Sequence, residues 1–93
     1  MRFEWDPKKD ALNQEKHGVG FTEAMSVFDD SAAAIFDPKH SLSEKREIII
    51  GSSLTERILL ISFTERAPEL IRIISARKTN RKERERYEEF KKR

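Results

Sequence analysis

Leu70 to Arg77 reads L-I-R-I-I-S-A-R and runs straight into a charged segment, Lys78 to Arg93. Its apolar and β-branched side chains suit a pleated surface, so the stretch is expected as the last strand of a sheet. Simple alternation places Ile71, Ile73, Ser75 and Arg77 on one face and Leu70, Arg72, Ile74 and Ala76 on the other. Arg77 then shares a face with two isoleucines where the strand gives way to a basic helix. An arginine so placed either snorkels to solvent or points into a cleft. The reading adopted is a cleft that holds a phosphate, with the rest of the chain as its scaffold.

Two further strands precede it. Arg46 to Gly51 carries the run Ile48-Ile49-Ile50, and Arg57 to Phe63 is apolar on both faces except at Ser62. Connections of five or six residues between these strands predict an antiparallel meander. Ala32 to Phe36 forms a weaker strand, and the alternation around Phe3 and Trp5 a short first one. Strands apolar on both faces need cover on both. Asp6-Pro7 supplies an N-cap and a first helical residue for a helix ending near His17 and stopping at Gly18. Lys16 and His17 fall in its last turn, where cations favour the helix dipole. Thr22 is the expected cap of a second helix, whose stripe Phe21, Ala24, Met25 and Phe28 faces the core. The last helix starts near Thr79-Asn80, with Asn80 and Glu83 as a capping box and Tyr87 and Phe90 as its apolar residues. The expected fold is α+β: an antiparallel meander of about four to five strands, two N-terminal helices and one C-terminal helix, in one domain over residues 1–93.

At 93 residues the chain can bury roughly 60–65% of its unfolded surface, enough for one modest core. It has no cysteine, hence no disulfide and no thiolate metal site, which fits a reducing cytosol. No run approaches the ~20 apolar residues of a membrane span. The expected location is the cytoplasm, away from membranes. Charged residues make up 39% of the chain, yet the net charge is only +2. The charges are unevenly placed: residues 77–93 balance at +5 and residues 1–76 at −3. The C-terminal segment is either a solvated helix with internal ion pairs or the surface that steers an anionic partner.

Gly-rich phosphate loops, H-E-x-x-H pairs and nucleophile elbows are missing from the sequence. Two histidines, His17 and His40, are too few and too scattered for zinc, so neither metal nor cofactor is expected. What remains are cations at strand ends and loops: Arg46, Arg57, Arg66, Arg72 and Arg77, with Lys39 and His40. Arginine suits phosphate because its planar fork makes two parallel charge-assisted hydrogen bonds. RNA carries its own nucleophile, so a protein need only orient the 2′-hydroxyl, accept its proton and neutralise the developing charge. Arg77 and Arg66 are the expected phosphate clamp and His40 the candidate base. Arg57 and Arg72 read as surface or edge-strand charge.

Further residues carry a resemblance that spans nearly the whole chain in order. Phe3-Glu4-Trp5-Asp6, Lys16-His17-Gly18-Val19, Phe21, Glu23-Ala24 and Val27-Phe28-Asp29-Asp30 resemble the BrnT family of toxins. So do His40-Ser41 with Glu44 and Arg46, Ile50-Gly51-Ser52, Phe63-Thr64-Glu65-Arg66, Ile71 to Arg77, and Glu83-Arg84 with Tyr87. The resemblance implies the toxin of a type II toxin–antitoxin pair: a small ribonuclease of RelE-like fold that halts translation. It implies neutralisation by a BrnA-type antitoxin, a 2:2 complex that represses its own operon, and operator DNA contacted only through the antitoxin. By that resemblance Arg66, Arg77, Tyr87, His40 and Arg46 match family positions and are the catalytic candidates. Lys39, Lys78, Arg81 and Arg84 are the expected RNA contacts. One departure is Glu56, where a glycine before Arg57 is expected in the hairpin. The competing reading is a module that binds nucleic acid or a partner through the basic helix without cutting a bond.

Overall fold

A computed structural model describes residues 1–36 and 46–92. The chain runs β1 (Arg2–Glu4), α1 (Pro7–His17), α2 (Phe21–Ser26), a 3-10 turn (Val27–Asp29), β2 (Ala34–Phe36), β3 (Arg46–Ser52), β4 (Ile58–Ala67), β5 (Leu70–Lys78) and α3 (Arg81–Lys91). The fold is α+β, as expected. The sheet, however, is mixed rather than a pure antiparallel meander. Its order is β1-β5-β4-β3-β2, and β1 lies parallel to β5. The reason is topological: α1, α2, β2, β3 and β4 intervene before β5 returns to the edge where β1 waits.

Local signals set the helix ends. The Asp6 side chain accepts from the Lys8 amide at 2.9 Å, Pro7 opens α1, and Gly18 closes it in the left-handed region at φ 69°. Asn80 and Glu83 form a complete capping box on α3. The second helix starts two residues earlier than expected, with Gly20 as N-cap and Thr22 exposed. Its first turn is held by Asp10 of α1, whose Oδ1 accepts from the Phe21 amide at 2.8 Å. A distant carboxylate thus does what a local Thr22 cap would have done.

One face of the sheet is closed by α1 and α2. Val19, Phe21, Ala24 and Val27 pack there on Ile49, Leu59, Ile61, Phe63, Ile71 and Ile73. Phe28 sits between Phe3 and Phe63, its ring centroid 5.1 and 5.0 Å from theirs, both edge-to-face. Gly51 is required at this layer: a Cβ there would meet the Ala33 Cβ at 2.8 Å and the Asp30 carboxylate at 3.0 Å.

The alternation expected along β5 fails in the middle. Ser62 pairs with Ser75, but Phe63 pairs with Ile73, so Ile74 is the extra residue of a β-bulge. The bulge moves Ala76 onto the helix-covered face with Ile71 and Ile73, and turns Arg77 to the opposite face, beside Leu60. The grouping of Arg77 with Ile71 and Ile73 is therefore corrected. Asn13 secures this arrangement. Its buried side chain donates to the Ala76 carbonyl at 2.7 Å and to the Val19 carbonyl at 2.8 Å, and accepts from the Ala76 amide at 3.2 Å. Pairing with β1 ends at Arg72, so these Ala76 groups have no strand on that side.

Of the two hairpins, the second is tighter than the expected connection of five or six residues, and the first keeps a five-residue loop. β4 and β5 extend until only Pro68 and Glu69 separate them, and Glu69 takes φ 63°. The β3–β4 loop spans residues 53–57, with Glu56 at φ 63° where the family resemblance implied a glycine. Ser53 N donates to the Arg57 carbonyl and Glu56 N to the Ser53 carbonyl, at 2.8 and 2.9 Å. No helix of the described residues is long and apolar enough to cross a membrane.

Candidate active site

Among the described residues, the second face of the sheet is only partly covered. Three cross-strand rows cross it. Glu4, Arg72, Thr64 and Arg46 form the first, Ser75, Ser62, Ile48 and Phe36 the second, and Arg77, Leu60, Ile50 and Ala34 the third. Helix α3 lies over the third row, where Tyr87 packs with Ile50 and Leu60. The first row and the Ser75–Ser62 end of the second carry hydroxyls and charged groups, while Ile48 and Phe36 pack with the apolar residues under α3. Ser75 and Arg46 are exposed, and Ser62 and Arg72 half-buried. Bordered by α3, this polar strip is the chain's candidate site.

Polar contacts hold α3 in place. The Tyr87 ring is buried, and its hydroxyl donates to Asp30 Oδ2 at 2.7 Å. Burial, followed by the Asp30 carboxylate, pushes the Tyr87 hydroxyl up to about 12. Burial alone would raise the Asp30 carboxyl. The Ser52 amide, the Tyr87 hydroxyl and the Ala32 amide outweigh it and leave Asp30 below the ordinary carboxylate range. Phe90, the other ring of α3, stays 44% exposed. It lines a groove of about 250 Å³ with Phe36, Arg86 and Glu89, where the Arg86 guanidinium sits 4.6 Å from the Phe36 ring centroid.

Arg77 stands on the border between strip and helix. Its two terminal nitrogens donate to the two Glu83 oxygens at 2.8 Å each. The Arg77 guanidinium holds the Glu83 carboxyl below its usual range, and Glu83 raises Arg77 in return. Glu83 also accepts from the Asn80 amide, so one carboxylate closes the capping box and grips the strand end. Arg72 pairs with Glu4 at 2.6 Å.

The expected residues do not converge on one point. Arg77 lies opposite Leu60, whereas Arg72 lies opposite Thr64, four residues or about 13 Å along β4. Arg66 is exposed at the far hairpin, six residues from Leu60 and hence about 20 Å from the Arg77 position. Arg46 shares the first row with Arg72, two strands away. Lys78 and Arg84 meet in a groove of about 360 Å³ with Glu56, Arg57, Ile58 and Thr79. Arg81 pairs with Glu85 on the outer side of α3 at 3.1 Å. Lys39 and His40 lie outside the described residues. His17 ends α1, on the opposite layer. Arg57 is committed to Glu23: its Nε donates to Glu23 Oε2 at 3.0 Å and its terminal nitrogen to Oε1 and to the Gly18 carbonyl. With Thr55 and Ser53 also donating, Glu23 is held down to about 2, the Arg57 hydrogen bond being the main cause.

Sequence reading missed Thr64, Ser62 and Ser75, and ranked Arg72 as plain surface charge. A signal existed: Arg72 and Thr64 are polar within apolar runs. Their common face depends on register across two strands and a bulge, and a single strand does not disclose that. Among the described residues there is no cluster of three or more metal-ligating side chains.

The crystal structure of the Brucella abortus ribonuclease toxin BrnT is similar to this chain, with a TM-score of 0.67 at 24% sequence identity. The match covers 87% of this chain and 99% of that one, and it shows the fold. No curated protein matches. The model of a family described as "Ribonuclease toxin, BrnT, of type II toxin-antitoxin system" matches residues 5–83. With most of its length inside that match, the chain belongs to the BrnT family of ribonuclease toxins from type II toxin–antitoxin systems.

Proposed function

We propose that this toxin cuts RNA on the open strip of its sheet, without a metal ion, and that translation stops as a result. The observation that carries the reading is the first cross-strand row, where Arg72 and Arg46 flank Thr64 with Ser62 and Ser75 alongside. Basic and hydroxylic groups on a face that the described residues leave partly open suit a strand of phosphodiesters, with Arg46 and Ser75 the exposed ones and Thr64 buried between the arginines. Arg46, Arg66, Arg72 and Arg77 are spread over about 20 Å, which fits successive phosphates of an extended strand better than one phosphate held by all. The chemistry is transesterification: the substrate's 2′-oxygen bonds to phosphorus while the bond to the 5′-oxygen breaks. A base takes the hydroxyl proton and an acid returns one to the leaving oxygen. Arginines beside the phosphate offset the charge that builds on its oxygens.

His40 is assigned as the base. It belongs to the segment between Phe36 and Arg46, both of which contribute to rows of the open face. Arg46 and Arg77, with Arg66 farther along, are assigned to phosphate. Lys39, Lys78, Arg81 and Arg84 are assigned to flanking RNA. Tyr87 acts through position, because a buried hydroxyl already donating to Asp30 and titrating at about 12 is a poor proton carrier near neutrality. Membership of a toxin–antitoxin family implies an antitoxin. We assign it to the BrnA type in a 2:2 complex that represses the operon, and place the protein in the cytoplasm with a RelE-like fold. An alternative, a partner-binding module using α3, draws on the exposure of Phe90 beside Phe36 and Arg86.

Cleavage of purified RNA in EDTA decides between them. Wild type is expected to cut, and Arg46→Ala and Arg72→Ala, folded by circular dichroism, to cut roughly 10²-fold more slowly. RNA left intact by wild type, alone and with ribosomes, would favour the binding module. Full activity in both variants would move the chemistry off this face.

A further inference from the structure

The groove at the β3–β4 tip is a separate concavity, round the sheet end from the open strip. Lys78 and Arg84 line it together, with Thr79 and Ile58 between them. Both are exposed, and neither has an ion pair among the described residues. Neighbouring cations behave differently: Arg77 is paired with Glu83, Arg81 with Glu85, and Arg57 with Glu23. Two uncommitted cations in one groove are a standing site for an anion.

The same groove contains Glu56. Its backbone is left-handed, φ 63°, a conformation that glycine adopts without strain and that a glutamate adopts at a cost. The loop does not relax, because Ser53, Thr55 and Arg57 are all fastened to Glu23, and the Leu54 amide to Ser26. A carboxylate is therefore held, against local backbone preference, on the rim of a cationic groove.

We propose that this groove is a phosphate subsite for the RNA strand outside the cleaved bond, and that Glu56 weakens its grip. The inference rests on the ribonuclease reading and adds to it a discrete subsite and a residue that limits affinity. Lys78 and Arg84 contact a phosphate beyond the Arg77 end of the strip. Glu56 repels that phosphate and competes for the same two cations.

The test is binding of a short, fully 2′-O-methylated single-stranded RNA, which lacks the nucleophile, followed by fluorescence anisotropy across a salt series. Lys78→Ser and Arg84→Ser are each expected to weaken binding about threefold to tenfold and to lower the salt slope by about 0.7, the value of one single-strand phosphate contact. Glu56→Gln removes the charge and keeps the backbone, so binding tightens about threefold or more while the melting temperature stays put. Glu56→Gly tightens binding equally and also raises the melting temperature by about 4 °C. If Arg46→Ser and Arg72→Ser weaken binding while Lys78→Ser and Arg84→Ser leave affinity and slope unchanged, the subsite is refuted and the open-face reading survives. Unchanged affinity in Glu56→Gln refutes the limiting role of the carboxylate. Absence of RNA binding by wild type, alone and with ribosomes, removes the ribonuclease reading and the subsite together.

Discussion

The two faces of the sheet are held by different physics. On the helix-covered face, eleven buried apolar residues from the α1–α2 connection, α2, the 3-10 turn and the strands form a continuous layer. On the other, only Ile50, Leu60 and Tyr87 among the described residues are buried together, and α3 is fastened by Tyr87 to Asp30 and by Glu83 to Arg77. Apolar burial is non-directional and strong per area, whereas a hydrogen bond contributes modestly and demands geometry. The first face therefore stabilises the fold, and the second keeps a polar strip open at a small cost in stability. The proposed cleavage on this strip relies on that division, because a second apolar layer would leave no room for a strand of RNA.

Substitutions at matched depth sharpen the contrast. Phe63→Ala, on the closed face against Phe28, is expected to destabilise by about 3–5 kcal/mol, and Leu60→Ala, under α3, by only about 2 kcal/mol, both measured by urea unfolding. Equal losses would mean that α3 seals its face as firmly as α1 and α2 seal theirs.

Acid probes the hairpin clamp that ties the closed side together. Glu23 titrates at about 2 when folded against 4.5 ordinarily. The unfolded chain takes up that proton more readily, so the stabilisation is complete above pH 4.5 and is lost as the pH falls towards 2. The Glu23→Gln variant is expected to lose about 2–3 kcal/mol at pH 7 and to show a shallower fall in melting temperature between pH 4.5 and 2 than wild type. Parallel falls in the two proteins would place the acid sensitivity elsewhere, with Asp30, also lowered, as the next carboxylate to replace.

On the open side the effects are smaller. Tyr87→Phe keeps the ring and removes the bond to Asp30, for an expected loss of about 1–2 kcal/mol, with hydrogen exchange rising first in α3. Glu83→Gln breaks the bidentate grip on Arg77. Since the Arg77 side chain is 39% exposed, solvent screening limits the loss to about 0.5–1 kcal/mol. Exchange rising uniformly across the sheet in either variant would show that α3 is part of the cooperative core.

Features decided by neighbours in the chain were legible from residues alone. Asp6-Pro7, Gly18 and the Asn80–Glu83 box mark helix ends because a cap is satisfied within three or four residues. The three long strands announced themselves by apolar β-branched runs, and Glu56 was visible as an oddity before its φ was known. The family, too, was legible from motifs spread in order along the chain. What sequence reading misplaced depends on partners far away. Thr22 lost the capping role to Asp10, eleven residues before Phe21. The parallel pairing of β1 with β5 joins residues nearly seventy positions apart. Above all, the bulge at Ile74, stabilised from the side by Asn13, decided which way Arg77 points. A strand's own alternation cannot contain that information, because a bulge exists only relative to the partner strand it breaks step with. Residue types therefore specified an arginine-rich protein with a sheet and three helices, and only the pairing of distant segments decided which of those arginines share a surface.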